Sequence, residues 1–106
     1  MFLGFNGNQE ITLPHVPDYA DPVWHLFVIR PPDRDALQKH LTEAGIGTMI
    51  HYPIPPHRQA AYAGLGYGVG SFPIAETRAC EVISLPIGPN MAGDQSEQVI
   101  NALKKL

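Results

Sequence analysis

Cysteine is almost missing from this chain. Cys80 is the one thiol in 106 residues, which excludes an internal disulfide and points to a reducing, cytoplasmic setting. No signal-peptide pattern and no apolar run long enough to span a bilayer interrupt that reading. Charge is sparse too: 16% of residues are charged, fewer than the roughly 25% of an ordinary globular domain, so part of the surface is expected to be covered. Seven Lys and Arg against ten Asp and Glu give a net charge of −3. Such a balance offers no basic field for nucleic acid or an anionic membrane.

Several kinds of chemistry lack their residues. There is no C-x-x-C and no H-E-x-x-H, and His51 and His57 in a proline loop are no standard ligand pair, so no metal is expected. Ser71 and Ser84 stand outside any G-x-S-x-G elbow. Cys80 falls on the expected inner side of a helix and reads as a small core residue. Lys39, Lys104 and Lys105 all lie on amphipathic helical stretches, where a solvated ammonium is the simple reading and a Schiff-base lysine is not expected.

Proline and glycine, by contrast, are plentiful: eleven and ten residues. They form no repeat or low-complexity tract and instead punctuate short elements. The length suits one domain with a modest core. Residues 1–22 read as an irregular entry segment, broken by Asn6-Gly7-Asn8, Pro14, Pro17 and Pro22. Phe2 and Phe5 there must find cover, either on this domain or on a larger body. Residues 23–106 read as a small α+β domain.

Val23 to Arg30 is aromatic and β-branched and ends at Pro31-Pro32, which predicts a central strand with both faces covered. His25, its one polar interruption, reads as a bonded structural histidine before it reads as a ligand. Asp33 is placed to cap a helix over Arg34 to Ala44, with Leu37, Leu41, Ala36 and Ala44 on one stripe and Gly45 as the left-handed stop. A second strand is expected from Thr48 to Tyr52. A short helix is expected over Arg58 to Leu65, and a further helix over Ile74 to Val82, with Ala75, Ala79 and Val82 inward and Glu76, Arg78 and Glu81 outward. Ile83 to Ile87 predicts a short strand, at an edge or ending at Pro86. Gly93 to Leu106 predicts a last helix burying Val99, Ile100, Leu103 and Leu106. About three strands with helices packed on the sheet make a two-layer α+β domain.

Two loops stand out. Gly64, Gly66, Gly68 and Gly70 alternate with other residues up to Ser71. A phosphate cradle would need a preceding strand, a following helix and another glycine spacing, so a tight or mobile turn is the better reading. The other loop is His51-Tyr52-Pro53-Ile54-Pro55-Pro56-His57-Arg58. Three prolines restrict the backbone that carries two imidazoles, a phenol and a guanidinium, so these polar tips lose little entropy on being held in place.

Taken in order, Val23 to Arg30, Arg34-Asp35-Ala36-Leu37, Gly45-Ile46-Gly47-Thr48, the His51 to His57 run, Phe72-Pro73-Ile74-Ala75-Glu76, Ser84-Leu85-Pro86-Ile87 and the closing stretch from Gln95 to Leu106 resemble one known pattern. It is that of the C-terminal small domain of the DegT/DnrJ/StrS family of pyridoxal-phosphate-dependent nucleotide-sugar aminotransferases. The resemblance covers the chain from Leu13 onward. It implies a parent enzyme that moves an amino group, commonly from glutamate, to a keto group of a nucleotide-linked deoxysugar for glycan or antibiotic sugar assembly. The H-Y-P-I-P-P-H form hints at a 3-keto sugar. It further implies that His51 and Tyr52 hold the substrate, at its diphosphate, with His57 and Arg58 as weaker candidates. The other possibility for the pair is structural: Tyr52 caps the core and His51 bonds a backbone carbonyl. In such families a large N-terminal domain holds pyridoxal phosphate and supplies the reactive lysine, and the parent is a homodimer. Nothing in this chain matches that large domain, so the fragment alone is expected to bind no cofactor and to be inactive. The competing expectation is a free-standing, non-catalytic binding module that keeps this fold.

Overall fold

The computed structural model describes residues 10–105. The expectations for Phe2, Phe5 and Leu106 lie outside the described residues. Five regular elements follow one another: β1 (Phe27–Ile29), α1 (Arg34–Glu43), α2 (Pro73–Glu81), β2 (Ile83–Leu85) and α3 (Gly93–Lys104). Two 3-10 turns, Pro56–Arg58 and Ala60–Leu65, lie between α1 and α2.

The strands pair antiparallel, with Phe27 opposite Leu85, Val28 opposite Ser84 and Ile29 opposite Ile83. The α+β class is as the sequence predicts, but the sheet is smaller. The expected strand from Val23 to Arg30 shrinks to three residues because its partner is equally short. On that partner, Val82 ends α2 on one side and Pro86, which has no N–H, closes the other. Val23 is 98% exposed, and Trp24 turns back to stack edge-on against Phe27, with centroids 4.9 Å apart. His25 is exposed and not a buried structural histidine.

The expected strand from Thr48 to Tyr52 is reduced to one bridge, Met49 to Ser84. That bridge corrects the placement of β2. Ser84 N–H donates to the Met49 carbonyl at 2.7 Å while its neighbours pair with β1, so β2 is flanked on both sides and is no edge strand. Its three residues are all buried. A matching bridge ties Thr12 to Arg30 through two backbone bonds of 2.9 and 3.0 Å.

Ile29, Leu37, Leu41, Ile83 and Leu103 form the fully buried centre, joined by Ile11, Phe27, Leu85 and Val99. Each such side chain is worth roughly 1.5–3 kcal/mol when removed from water. Helix α1 begins where predicted: Asp33 accepts from the Ala36 N–H at 3.0 Å, and Gly45 takes φ +80° just past its end, where a Cβ would be strained. Its buried stripe is only Leu37 and Leu41, since Ala36 and Ala44 are exposed. Helix α3 opens with the Gln95 side chain accepting from the Ala92 N–H at 2.9 Å and buries Ser96, Val99, Ala102 and Leu103. Helix α2 buries Ala79 and leaves Cys80 exposed. The thiol is therefore no core residue: three-residue spacing puts Ala79, not Cys80, in phase with Val82. No helix among the described residues is long and apolar enough to cross a membrane.

Between Met49 and Ile74 the chain changes character. The 3-10 turn Ala60–Leu65 buries none of its residues, and Leu65, Tyr67, Val69 and Ile74 are exposed.

Candidate functional site

The proline loop leaves the sheet directly from the Met49 bridge, so its first polar residue starts from a fixed point. His51 is half-buried, and its Nδ1 lies 2.8 Å from Ser84 Oγ. Ser84 is buried in the sheet, and a buried hydroxyl needs a partner. The serine and the imidazole thus meet that need together and fix the ring plane. The backbone carbonyl considered as a partner for His51 is replaced by this hydroxyl. Among the described residues, Nε2 has no partner.

Tyr52 stands edge-on to His51, ring centroids 5.3 Å apart, and is 65% exposed. It does not cap the core. Its phenol is open to solvent, able to donate to an anionic oxygen. His51 separates two hollows. One, of about 220 Å³, is lined by Tyr52, Ile54, Pro55, Pro56 and, from α2, Ala75 and Arg78. The other, of about 300 Å³, is lined by His25, Thr48, Met49 and Ser84 to Ile87. Each lies at or below the small end of the roughly 300–1,000 Å³ typical of closed ligand sites. A larger hollow of about 350 Å³ between α1 and α3 lies elsewhere. There the His40 ring is already engaged by the Ala102 carbonyl at 2.8 Å.

His57 is placed differently from its neighbours. The short 3-10 turn tucks it inward, and its side chain is 6% exposed. Its ring packs edge-on against Phe72 at 4.9 Å, and Phe72 in turn against Tyr67 at 5.0 Å. The buried Nε2 of His57 has no hydrogen bond and faces Glu76 Oε2 at 3.7 Å. Arg58, at the end of the turn, is exposed.

Glu76, expected on the outer face of α2, is instead only 20% exposed at its side chain. Both its oxygens accept from the Gly70 N–H, at 2.9 and 3.0 Å. The Gly70 N–H beside Glu76 holds its carboxyl below the usual glutamate range, helped by the Phe72 N–H and the His57 charge and opposed by partial burial. Arg78 is exposed as expected but lines the cleft beside Tyr52, and Nη1 donates to Glu81 Oε2 at 2.7 Å.

The structure therefore brings His51 and Tyr52 together at one cleft and sends His57 into a separate contact with Phe72 and Glu76. Ser84, Glu76 and Arg78 were not singled out by sequence as parts of the site. A polar residue inside the apolar run Ile83-Ser84-Leu85 is the one available signal for Ser84, since such a group must be bonded somewhere.

Among the described residues, no group of three His, Cys, Asp or Glu side chains is placed to hold a metal ion. Nor do these residues suit pyridoxal phosphate: Lys39, Lys104 and Lys105 are all exposed, and the one carboxyl with a lowered pKa, Glu76, is engaged by a backbone amide.

The sequence profile of the DegT/DnrJ/EryC1/StrS aminotransferase family matches residues 3–104. The chain is 55% identical over 94 residues to the erythromycin biosynthesis sensory transduction protein EryC1 of Saccharopolyspora erythraea, covering 89% of this chain and 26% of that protein. It is 46% identical over 102 residues to the dTDP-3-amino-3,4,6-trideoxy-alpha-D-glucose transaminase of Streptomyces venezuelae, covering 96% of this chain and 27% of that one. Among solved structures, that of S. venezuelae DesV in complex with a ketimine intermediate superposes with a TM-score of 0.85 at 45% identity, over 98% of this chain and 27% of DesV. The chain thus spans about a quarter of the length of the relatives it matches.

Proposed function

The chain belongs to the DegT/DnrJ/EryC1/StrS aminotransferase family, and from that premise we propose that it is the small C-terminal domain of a cytoplasmic enzyme that aminates a nucleotide-linked deoxysugar. On this reading the amino group comes from glutamate and is received by a keto group at C3 of a dTDP-hexose, the substrate class in the name of the S. venezuelae relative. Pyridoxal phosphate supplies the amino-transfer chemistry when bound, and it is held by residues of the enzyme outside this chain. The working enzyme is a homodimer, and this chain alone is inactive.

What the chain's own residues do is bind and orient. Tyr52, exposed at the cleft, donates its phenolic proton to a diphosphate oxygen. His51, with Nδ1 on Ser84, presents Nε2 to the same group, and His57 supports the loop that carries both. Hydrogen bonds to charged oxygens are the stronger ones, each worth roughly 1.5–3 kcal/mol. The observation that carries the proposal is the pairing of His51 to Ser84, because it turns a loop residue into one held by the sheet.

Small open hollows on either side of His51 fit a site whose remaining walls come from the rest of the enzyme. The test is to assay the full-length protein with pyridoxal phosphate, glutamate and a dTDP-3-keto-6-deoxyhexose, following the amino sugar by mass spectrometry. Stoichiometric amino sugar formation is expected. Nucleotide-sugar binding with no turnover by any amino donor would instead favour a non-catalytic binding module.

A further inference from the structure

The glycine-rich stretch 64–71 has few ties to the body of the domain. Gly66 and Gly70 take φ +77° and +86°. The turn closes on itself through Gly68 N–H to Ser71 Oγ at 3.1 Å and Ser71 N–H to the Gly68 carbonyl at 3.2 Å. Val69 at its tip is 79% exposed. A segment with so few buried contacts opens easily, yet one bond leads from it to a side chain of α2. That bond is Gly70 N–H to the Glu76 carboxylate, at 2.9 and 3.0 Å.

Glu76 is placed for this by α2. Phe72, the N-cap, offers no capping side chain, and Pro73 opens the helix, so a carboxylate in the first turn meets the positive end of the helix. Its own N–H bonds the Phe72 carbonyl at 3.0 Å. From the other side comes His57, its buried Nε2 3.7 Å from Oε2. The rings of His57, Phe72 and Tyr67 form an edge-on row. One carboxylate therefore touches both the glycine-rich loop and the proline loop.

We propose that Glu76 is a positioning residue that ties the glycine-rich loop to the His51–Arg58 loop and so fixes the wall of Pro55 and Pro56 in the hollow beside Tyr52, against which the nucleotide-sugar is held. This rests on the reading of that wall as the substrate side of the domain. Glu76 touches no substrate. It acts through Gly70, which sets the loop path, and through His57, which directly follows Pro55 and Pro56, two residues that line the hollow beside Tyr52. Loss of the carboxylate releases the loop and leaves the His57 Nε2 without its charged neighbour. Substrate binding then weakens, because the free enzyme spends part of its time with the wall unformed, while the chemical step is little changed.

The experiment uses the full-length protein with two substitutions, Glu76→Ala and the isosteric Glu76→Gln, and two readouts. The first is hydrogen–deuterium exchange of the peptide spanning 66–72. The second is steady-state kinetics with a dTDP-keto-sugar, separating KM from kcat. In Glu76→Ala, exchange is expected to quicken at least about tenfold, with KM raised about five- to tenfold and kcat within about twofold. Glu76→Gln keeps one acceptor oxygen and should fall between Ala and wild type, which also guards against a variant that does not fold. Unchanged exchange, or faster exchange with an unchanged KM, overturns the proposal. Should the wild-type protein turn over no nucleotide-sugar at all, the proposed function fails and the substrate role of Glu76 with it. The exchange readout still reports whether the carboxylate ties the loop.

Discussion

The sheet with α1 and α3, and the segment from His51 to Phe72, are both rich in apolar side chains but use them in opposite ways. In the first, periodic spacing lets Leu37, Leu41, Val99 and Leu103 meet Ile29 and Ile83 in one centre. In the second, prolines and glycines interrupt every period before a helix or strand forms, and Tyr52, Leu65, Tyr67 and Val69 remain exposed. The packed half is held by many weak contacts that add up. The open half is held by a few specific ones: His51 to Ser84, Gly70 to Glu76, and the His57, Phe72 and Tyr67 rings. A fold kept by many contacts tolerates the loss of one polar tip, whereas a loop tied to the body by few side-chain bonds does not. That division suits a domain whose core provides the platform and whose loop meets a ligand or another body.

This contrast can be broken first from the packed side. Leu41 is fully buried, and Leu41→Ala should lower unfolding free energy by about 2–5 kcal/mol, measured by urea denaturation. A loss below ~1 kcal/mol would mean that the centre is loosely packed. Next comes the link between the halves. Ser84→Ala removes the partner of the half-buried His51 Nδ1 and should cost about 1–3 kcal/mol, with the His51 ring resonances shifting in NMR spectra. A change confined to stability, with the ring unmoved, would mean that the hydroxyl does not orient the imidazole.

The third way uses acid. Because the Glu76 carboxyl is held below its ordinary range, its contribution is present in full above ~4.3, the unperturbed glutamate value, and is lost as pH falls through the lowered value. The protection factor at Gly70, which corrects for the intrinsic pH dependence of exchange, should therefore fall in that acid window ahead of those in β2, and simultaneous loss of both would show that the loop has no separate latch. The smallest effect belongs to the loop tip: Val69→Ser should leave stability within about 0.5 kcal/mol of wild type, read from the same urea transition.

The helices were legible in the sequence because their signals are local. Asp33, Gly45 and the Leu37 to Leu41 spacing mark α1 within two residues of where it lies. The strands were not, because strand length depends on the partner: eight residues from Val23 to Arg30 have the composition of a strand, but β2 offers only three to pair with. Nor does local composition tell that β2 is flanked on both sides, since the Met49 bridge comes from 35 residues away in sequence. At the site, His51 and Tyr52 were visible as polar tips on a stiff backbone. Ser84 and Glu76, which hold them and their surroundings, were hidden because their roles arise only when distant segments meet. The inward turn of His57 was hidden for the same reason, and Cys80 was misjudged by one position in helical phase.

Contact of His51 and Tyr52 with the nucleotide-sugar can be probed by Tyr52→Phe and His51→Ala in the full-length protein. Each is expected to raise KM for the dTDP-keto-sugar roughly ten- to a hundredfold, the equivalent of about 1.5–3 kcal/mol for a lost hydrogen bond to a charged group, with the domain still folded. KM and kcat both within about twofold of wild type, or a thermal stability lost in step with binding, would contradict it.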